Sequence, residues 1–288
     1  MFNTIKNYTL LLRPKNWVKN ILIPLPMLLA GHFDKQALFH IIFGFISFSC
    51  IASGTYIIND IVDIESDRAH VKKRFRPLAA GIVSVDYSLI LSITLIVISL
   101  FSQLIIGLDA FLIVLFYFLL NLYYSFSGKT KRFIDILILS TFYLIRVYYG
   151  AILTEVPLTG WFIAAISMAV LSLATNKRFM ECSLSKSQNI LGRAYTTSDA
   201  SFLQVIMLNF AIGSIIFLNL HAFLVLMIAS PYFYFALNIV SASILFFYFD
   251  YASNTSDDPV ERVLKNYKLL FFVVVFCSLY FYEFLIRN

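Results

Sequence analysis

Three aspartates followed by a cluster of cations are the residues of this chain best suited to chemistry. Asp60, Asp63 and Asp67 lie three and four residues apart at the end of a long apolar run. A helix turning about 100° per residue brings residues at this spacing to one side. Mg²⁺ is a hard cation that takes oxygen ligands. The spacing therefore predicts a Mg²⁺ site on these three carboxylates, and the cation would hold phosphate.

Asn59 stands directly before the acidic segment. It could add a neutral oxygen ligand or orient Asp63, four residues on. The alternative interpretation of the segment is a solvated, acidic helix end. We favour a functional role, because carboxylates at the end of an apolar span are costly and acids at a helix C-terminus oppose the macrodipole.

A basic cluster follows the acids and includes Lys73, Arg74 and Arg76. The excess of positive charge in cytoplasmic loops would explain its charge, but not its place directly after the acidic segment. Arginine offers phosphate two parallel donors, and lysine offers a point charge. We predict that at least some of these three side chains bind phosphate.

A second polar run, Tyr123–Asp135, offers Tyr124 and Lys131 as further candidates for substrate binding. Asp135 is either a helix N-terminal cap or a site residue. Arg146 lies about three turns further on, on nearly the same side of the helix, and so well inside the membrane. A buried arginine needs an anionic partner, which is either an acid on a neighbouring span or a phosphate that enters between helices.

A third polar run mixes one acid with several cations. It contains Lys177, Arg178 and Glu181, and Arg193 follows them. Lys177 and Glu181 are four residues apart and could form an ordinary surface ion pair, which would contribute little stability.

Composition places these residues in a membrane protein. The 288-residue chain is 60% hydrophobic and 13% charged, and its apolar residues come in long runs. We predict an all-α polytopic membrane protein with one domain over residues 1–288. Pro24 and Pro26 interrupt the first span. The predicted spans are residues 18–32, 38–59, 87–107, 109–126, 134–153, 161–180, 201–220, 231–250 and 268–286.

The distribution of positive charge predicts the topology. Lys and Arg fall mainly in the N-terminal segment and in the loops after the even-numbered spans, with Lys35, Arg146 and Arg287 as exceptions. This places the N-terminus and the polar loops in the cytoplasm and the C-terminus outside. The net charge of +6 is then mostly a topology signal, and nucleic-acid binding is not expected. No cleavable signal peptide is predicted.

The acidic segment resembles a known family motif. Asn59–Asp67 is similar to the N-D-x-x-D-x-x-x-D signature of the UbiA superfamily of intramembrane prenyltransferases. The segments Arg13–Asn20, Lys73–Gly81 and Lys177–Glu181 resemble the branch that contains decaprenyl-phosphate phosphoribosyltransferase. The chain lacks the second Asp-rich motif that aromatic prenyltransferases of the superfamily typically carry after the sixth span.

The resemblance implies transfer of 5-phosphoribose from phosphoribosyl diphosphate (PRPP) to a polyprenyl phosphate, in a bundle whose active-site cavity faces the cytoplasmic side of a bacterial inner membrane. By the same resemblance, Asp60, Asp63 and Asp67 hold Mg²⁺ and the basic cluster holds donor phosphates. The third polar run would complete the same pocket, and its cations suit a donor that carries an additional phosphate. Arg146 and Lys19 would contact the lipid head.

Two alternatives remain at this point. A prenyltransferase that moves an isoprenoid from its diphosphate to an aromatic acceptor would use the same Mg²⁺ site. A non-catalytic binder or transporter of polyprenyl phosphate would line a pathway with intramembrane charges. The acids lie at one membrane face with no comparable polar set at the other, which argues against transport.

Overall fold

The computed structural model describes residues 2–69, 73–185, 188, 190, 194–228, 230–252 and 265–287, and this part of the chain is helical. Short 3-10 helices lie at Pro14–Leu22, Lys73–Phe75, Gly128–Thr130 and Thr197–Asp199. The α-helices are α1 (Phe2–Leu12), α2 (Leu25–Ala30), α3 (Lys35–Val62), α4 (Ile64–Ala69), α5 (Val85–Ile106), α6 (Leu108–Phe126), α7 (Ile134–Thr154), α8 (Gly160–Leu184), α9 (Ala200–Leu224), α10 (Pro231–Ala252) and α11 (Tyr267–Arg287).

Seven of the described helices are long and apolar enough to cross a membrane. They are α3 and α5 to α10, and their bounds lie within a few residues of the predicted spans. Helix α11 adds a shorter apolar stretch at Tyr267–Leu279. The protein is therefore an all-α integral membrane protein, as predicted from its apolar runs.

The first predicted span, residues 18–32, is not one helix. A 3-10 helix covers Pro14–Leu22, and the six-residue helix α2 covers Leu25–Ala30. Proline removes a backbone donor and disfavours helical geometry in the residue before it, so Pro24 and Pro26 account for the interruption. The predicted count of nine spans is accordingly not reproduced by the described residues.

Contacts divide the chain into two compact units. The first unit comprises Met1–Pro24, Asp34–Lys131 and Ile145–Glu155, and the second comprises Leu25–Phe33, Arg132–Leu144 and Val156–Asn288. Within the first unit, α3 packs against α5 and α6. Within the second unit, α8 packs against α9, and α10 packs against α11. The prediction of one domain for the whole chain stays a prediction.

Small and polar residues join α3 to α5 in the first unit. A Cβ atom on Gly54 would lie 3.0 Å from the carbonyl oxygen of Ser92, and the Ser92 hydroxyl donates to the Gly54 carbonyl at 2.8 Å. Further along the pair, the amide of Gln103 donates to Ser47 at 2.5 Å, and Tyr149 donates to Gln103 at 2.6 Å. Small residues let membrane helices approach closely, and these bonds satisfy polar groups that have no water.

Gly150 is required where α7 meets the end of the first 3-10 helix. A Cβ atom at this position would lie 1.8 Å from the carbonyl oxygen of Ile23. We therefore expect Gly150→Ala to destabilise the protein by about 1–3 kcal/mol or more, because backbone rather than a flexible side chain must move. Thermal unfolding in detergent measures this effect.

Gly160→Ala is the matched control, since a Cβ atom at Gly160 would meet nothing within 4 Å. An unfolding temperature for Gly150→Ala equal to that of Gly160→Ala would contradict the close approach.

Candidate active site

The acidic segment is split between two helices. Helix α3 ends at Val62 with Asp60 in its last turn, Asp63 follows with φ −95° and ψ 5°, and α4 carries Asp67. Asp60 is 3% exposed and Asp67 is 2% exposed. The prediction that all three aspartates lie on one side of a single helix is therefore wrong, because the helix is interrupted at Asp63, a residue with poor helix propensity.

Asp60 and Asp67 meet at one guanidinium group. Nη1 of Arg76 lies 3.1 Å from Oδ1 of Asp60 and 2.5 Å from Oδ2 of Asp67. Arg13 also donates to Oδ1 of Asp60. The chain thus brings two buried carboxylates, seven residues apart, around a single positive charge.

Asp63 has a different cation. It pairs with Lys129, which belongs to the 3-10 helix after α6, and it accepts a hydrogen bond of 3.2 Å from the amide of Asn59. Asn59 therefore orients Asp63, which is one of the two roles considered for it. Nζ of Lys73 lies 4.0 Å from Oδ1 of Asp67, and the guanidinium of Arg74 lies 4.9 Å from the ring centre of Phe75.

A packed turn positions Arg76. The backbone N–H of Arg76 donates to the Lys73 carbonyl at 2.9 Å, and the Arg76 carbonyl accepts from the N–H of Ala80 at 2.8 Å. Leu78, two residues further on, is buried in a cluster with Leu11, Ile57 and Val83. The turn closes at Gly81 with φ 70°, a conformation that glycine adopts without strain. Burial of Leu78, which packs against Ile57 of α3, thus holds the turn that follows Arg76 against this helix.

The backbone of Arg13 adopts a strained conformation. Its φ of 52° and ψ of 56° lie in the left-handed region, between α1 and the 3-10 helix that begins at Pro14. Such a conformation is costly for a residue with a Cβ atom and persists where the surrounding structure enforces it. Here it accompanies the ion pair with Asp60 and places the guanidinium 5.6 Å from the ring centre of Tyr56.

The two carboxylates that bind Arg76 suit a divalent cation such as Mg²⁺. Among the described residues, no group of three His, Cys, Asp or Glu side chains is arranged to hold a metal ion. Asp60 and Asp67 nevertheless present oxygens to the same nitrogen of Arg76, so one cation can contact both. Mg²⁺ is commonly bound by one or two carboxylates together with substrate phosphates and water. Two converging carboxylates fit that pattern.

Arg146 lies in a separate polar cluster of the first unit. It is 2% exposed, its Nε donates to Oδ1 of Asn20 at 2.9 Å, and its guanidinium lies 5.0 Å from the ring centre of Phe48 and 5.3 Å from that of Tyr117. Asn20 in turn donates to Ser49 at 2.9 Å. These contacts supply a neutral oxygen and two aromatic faces, which stabilise a buried cation in a way that the sequence did not suggest.

The other candidates of the first unit lie at its polar ends. Lys19 is half-buried in the 3-10 helix Pro14–Leu22, and Tyr124 is half-buried in the last turn of α6. Lys131 is exposed and donates to the hydroxyl of Tyr123 at 3.2 Å. Their assignment to substrate binding stays a prediction.

The second unit contains a buried ion pair. Asp135 and Arg178 are both 0% exposed and pair with each other, and Nη1 of Arg178 donates to Glu181 at 2.5 Å. Tyr195 donates to Oδ1 of Asp135 at 2.7 Å and accepts from the N–H of Phe133 at 2.8 Å. Burial and the bond to Asp135 both raise the pKa of Tyr195, so its hydroxyl stays a donor at neutral pH.

This cluster bears on two interpretations of the sequence. Asp135 is an acid in the first turn of α7, as expected of a residue that complements the helix N-terminus, and it also binds a buried arginine. The sequence suggested a surface ion pair between Glu181 and Lys177. In the structure, Glu181 binds Arg178, three residues before it. Lys177 is half-buried on α8, and Arg193 lies outside the described residues.

Three residues of these clusters were missed among the candidate site residues. Arg13 and Lys129 pair with Asp60 and Asp63 across 47 and 66 residues of sequence, and Tyr195 binds Asp135 across 60. Arg13 stands within a segment that resembles the family, and Lys129 stands within the second polar run, so both carried a signal. Their partners could not be deduced because distant pairing depends on the fold.

Comparison with known proteins supports a family assignment. A protein of Mycobacterium tuberculosis named decaprenyl-phosphate phosphoribosyltransferase is 33% identical over 189 residues, which cover 64% of this chain and 63% of that protein. The nodulation protein NoeC of Azorhizobium caulinodans is 30% identical over 211 residues, covering 72% of this chain and 69% of NoeC. The chain thus spans just under two thirds of the length of the mycobacterial protein.

Solved structures share the fold. A UbiA homolog from Archaeoglobus fulgidus bound to GPP and Mg²⁺ matches with a TM-score of 0.70 at 18% identity, over 97% of this chain and 98% of that one. A model of the UbiA prenyltransferase family matches residues 21–276. Together with the acidic segment at the end of α3, this match over most of the chain shows that the protein belongs to the UbiA prenyltransferase family.

Proposed function

We propose that this protein transfers 5-phosphoribose from PRPP to the phosphate of a polyprenyl phosphate, forming polyprenyl-phosphate 5-phosphoribose and diphosphate. The observation that carries this proposal is the pair of buried carboxylates, Asp60 and Asp67, which converge on Arg76 at the end of a membrane-spanning helix. Such a site can take an anionic, metal-bound diphosphate. Relatives that are named decaprenyl-phosphate phosphoribosyltransferase support the choice of donor and acceptor.

The position of the acids suits two substrates of different solubility. Asp60 lies in the last turn of α3, whose preceding turns are apolar. A polyprenyl phosphate keeps its tail in lipid and its charged head at the interface, while PRPP is soluble. The distribution of Lys and Arg predicts that this end of α3 faces the cytoplasm of a bacterial inner membrane.

The reaction needs positioning and charge compensation more than proton transfer. The bond between ribose C1 and the diphosphate oxygen breaks, and an oxygen of the acceptor phosphate forms the new bond to C1. This acceptor is already an anion at neutral pH, so no general base is needed. In this proposal Arg76 and Lys73, which both lie beside Asp67, hold diphosphate oxygens, and preorganised charges of this kind lower the barrier.

Asp60 and Asp67 are the residues that would hold Mg²⁺. When bound there, the metal ion supplies positive charge that stabilises the departing diphosphate. Asp63 would join them only if it left Lys129. Lys177, Arg178, Glu181 and Arg193 stay predictions as contacts of the substrates.

A transfer assay tests the proposal. Purified protein in detergent receives Mg²⁺, a polyprenyl phosphate and radiolabelled PRPP, and the label that enters the lipid phase is counted with and without chelator. We expect label in the lipid phase that chelator abolishes. Absence of transfer with several lipid lengths, together with transfer from a prenyl diphosphate to an aromatic acceptor, would replace the proposal with prenyl transfer.

A further inference from the structure

The carboxylates of the acidic segment already have positive partners. Asp60 pairs with Arg13 and Arg76, Asp67 pairs with Arg76, and Asp63 pairs with Lys129. Lys73 also lies 4.0 Å from Asp67, so each carboxylate has at least one positive partner among the described residues. A divalent cation added to this cluster would bring two further positive charges to carboxylates that already have positive partners.

Arg76 contacts the carboxylates that would hold a metal ion. A single nitrogen of Arg76 contacts an oxygen of each buried carboxylate, at 3.1 Å and 2.5 Å. A metal ion bound to both carboxylates would compete with this guanidinium nitrogen for the same oxygens. Like charges at contact distance repel each other, and they do so more strongly inside a protein than in water. Arg76 must therefore move when a metal ion bridges Asp60 and Asp67.

The side chain of Arg76 is more exposed to solvent than the carboxylates that it binds. Its side chain is 27% exposed, whereas the side chains of Asp60 and Asp67 are 3% and 2% exposed. The carboxylates are thus enclosed, whereas the side chain of Arg76 is partly open to solvent. A small outward movement keeps Arg76 beside the cluster and directs its donors to whatever anion arrives with the metal ion.

We propose that Arg76 is an exchangeable counter-ion that couples metal binding to donor binding. Without substrate it bridges Asp60 and Asp67 and opposes metal binding. When a metal ion arrives together with a diphosphate, the metal ion takes the carboxylates and Arg76 takes a phosphate oxygen. The metal ion alone therefore binds weakly, and metal ion and donor bind cooperatively. This inference rests on the proposed function for the identity of the donor.

The first test measures Mn²⁺ binding to the protein alone, by electron paramagnetic resonance of free Mn²⁺. We expect Arg76→Gln to bind Mn²⁺ about tenfold more tightly than the unaltered protein, because a competing charge is gone. We expect the same variant, at saturating Mg²⁺, to bind PRPP about ten- to hundredfold more weakly, because a charge-assisted hydrogen bond is lost. Opposite changes in the two affinities distinguish exchange from a merely structural role.

Two matched variants control for charge and position. Lys35→Gln removes an exposed cation from the first residue of α3, at the opposite end of the helix from Asp60, and it should leave Mn²⁺ affinity unchanged. Arg76→Lys keeps a positive charge, and it should restore weak Mn²⁺ binding. Mn²⁺ affinity in Arg76→Gln that is no higher than in Lys35→Gln would overturn the proposal.

A second measurement needs no variant and therefore does not depend on the folding of Arg76→Gln. The unaltered protein is titrated with Mn²⁺ with and without PRPP, after correction for the Mn²⁺–PRPP complex in solution. Cooperative binding of at least about tenfold is expected, and by linkage each ligand raises the affinity of the other equally. Equal Mn²⁺ affinity in both titrations would contradict the exchange.

Failure of the exchange and failure of the proposed function give different results. Tighter Mn²⁺ binding in Arg76→Gln, with no transfer of phosphoribose by the unaltered protein, would support the exchange and remove PRPP as the donor. Phosphoribosyl transfer by a protein whose Mn²⁺ affinity does not respond to Arg76→Gln would support the proposed function and remove the exchange.

Discussion

Asp60→Asn and Asp67→Asn should each lower phosphoribosyl transfer by at least about a hundredfold, the scale on which preorganised charges contribute to catalysis. Both side chains are buried, and both contact the same nitrogen of Arg76. An amide is nearly isosteric with a carboxyl group but carries no negative charge, so each variant loses half of the charge that would hold the metal ion. Initial rates of label transfer at saturating Mg²⁺ measure the loss.

The matched control is Asp86→Asn, an acid-to-amide change at an exposed residue in the first turn of α5. Its transfer rate should equal that of the unaltered protein. Normal rates in both Asp60→Asn and Asp67→Asn would remove the carboxylate pair from the mechanism. An equally large loss in Asp63→Asn would indicate that Asp63 leaves Lys129 during turnover.

Arg178→Met should destabilise the second unit by about 3–5 kcal/mol, the usual effect of removing one partner of a buried ion pair. Arg178 and Asp135 are both fully buried, so the variant leaves Asp135 with an uncompensated charge. Unfolding by heat or denaturant, carried out in detergent, measures the change in the free energy of unfolding. This effect must be known before any loss of activity in an Arg178 variant is ascribed to the donor.

A double variant tests whether the loss of stability comes from the unpaired charge of Asp135. Replacing both members, as Asp135→Leu with Arg178→Met, removes the unpaired charge and should recover much of the stability. Lys177→Met changes the neighbouring half-buried cation and should have a much smaller effect on unfolding. An unfolding midpoint for Arg178→Met equal to that of Lys177→Met would show that the pair does not stabilise the fold.

The long helices were predictable because the membrane imposes a simple rule. A helix that crosses hydrocarbon must satisfy its own backbone and present an apolar surface, so a span is visible as an apolar run. Helices α5 and α6, for example, end within two residues of the predicted bounds. The rule fails at residues 18–32, where the run is apolar but two prolines prevent one continuous helix.

The candidate site was predictable only in its residue types. The acids, the basic cluster and the role of Asn59 as a partner of Asp63 could be inferred from spacing within one segment. The pairing of Arg13 with Asp60 and of Lys129 with Asp63 could not, because each joins residues more than forty positions apart. The same reason applies to Tyr195 and Asp135.

By itself, the sequence determined that this protein is a helical membrane protein of the UbiA family with an acidic segment at the end of its first long span. Local spacing and apolar run length are sufficient for that, because both are properties of neighbouring residues. Only the tertiary structure decided which carboxylates converge. The interruption at Asp63 directs that residue to Lys129, and the buried turn around Leu78 places Arg76 between Asp60 and Asp67. Electrostatic partners are selected by position in space, so they follow from packing rather than from spacing.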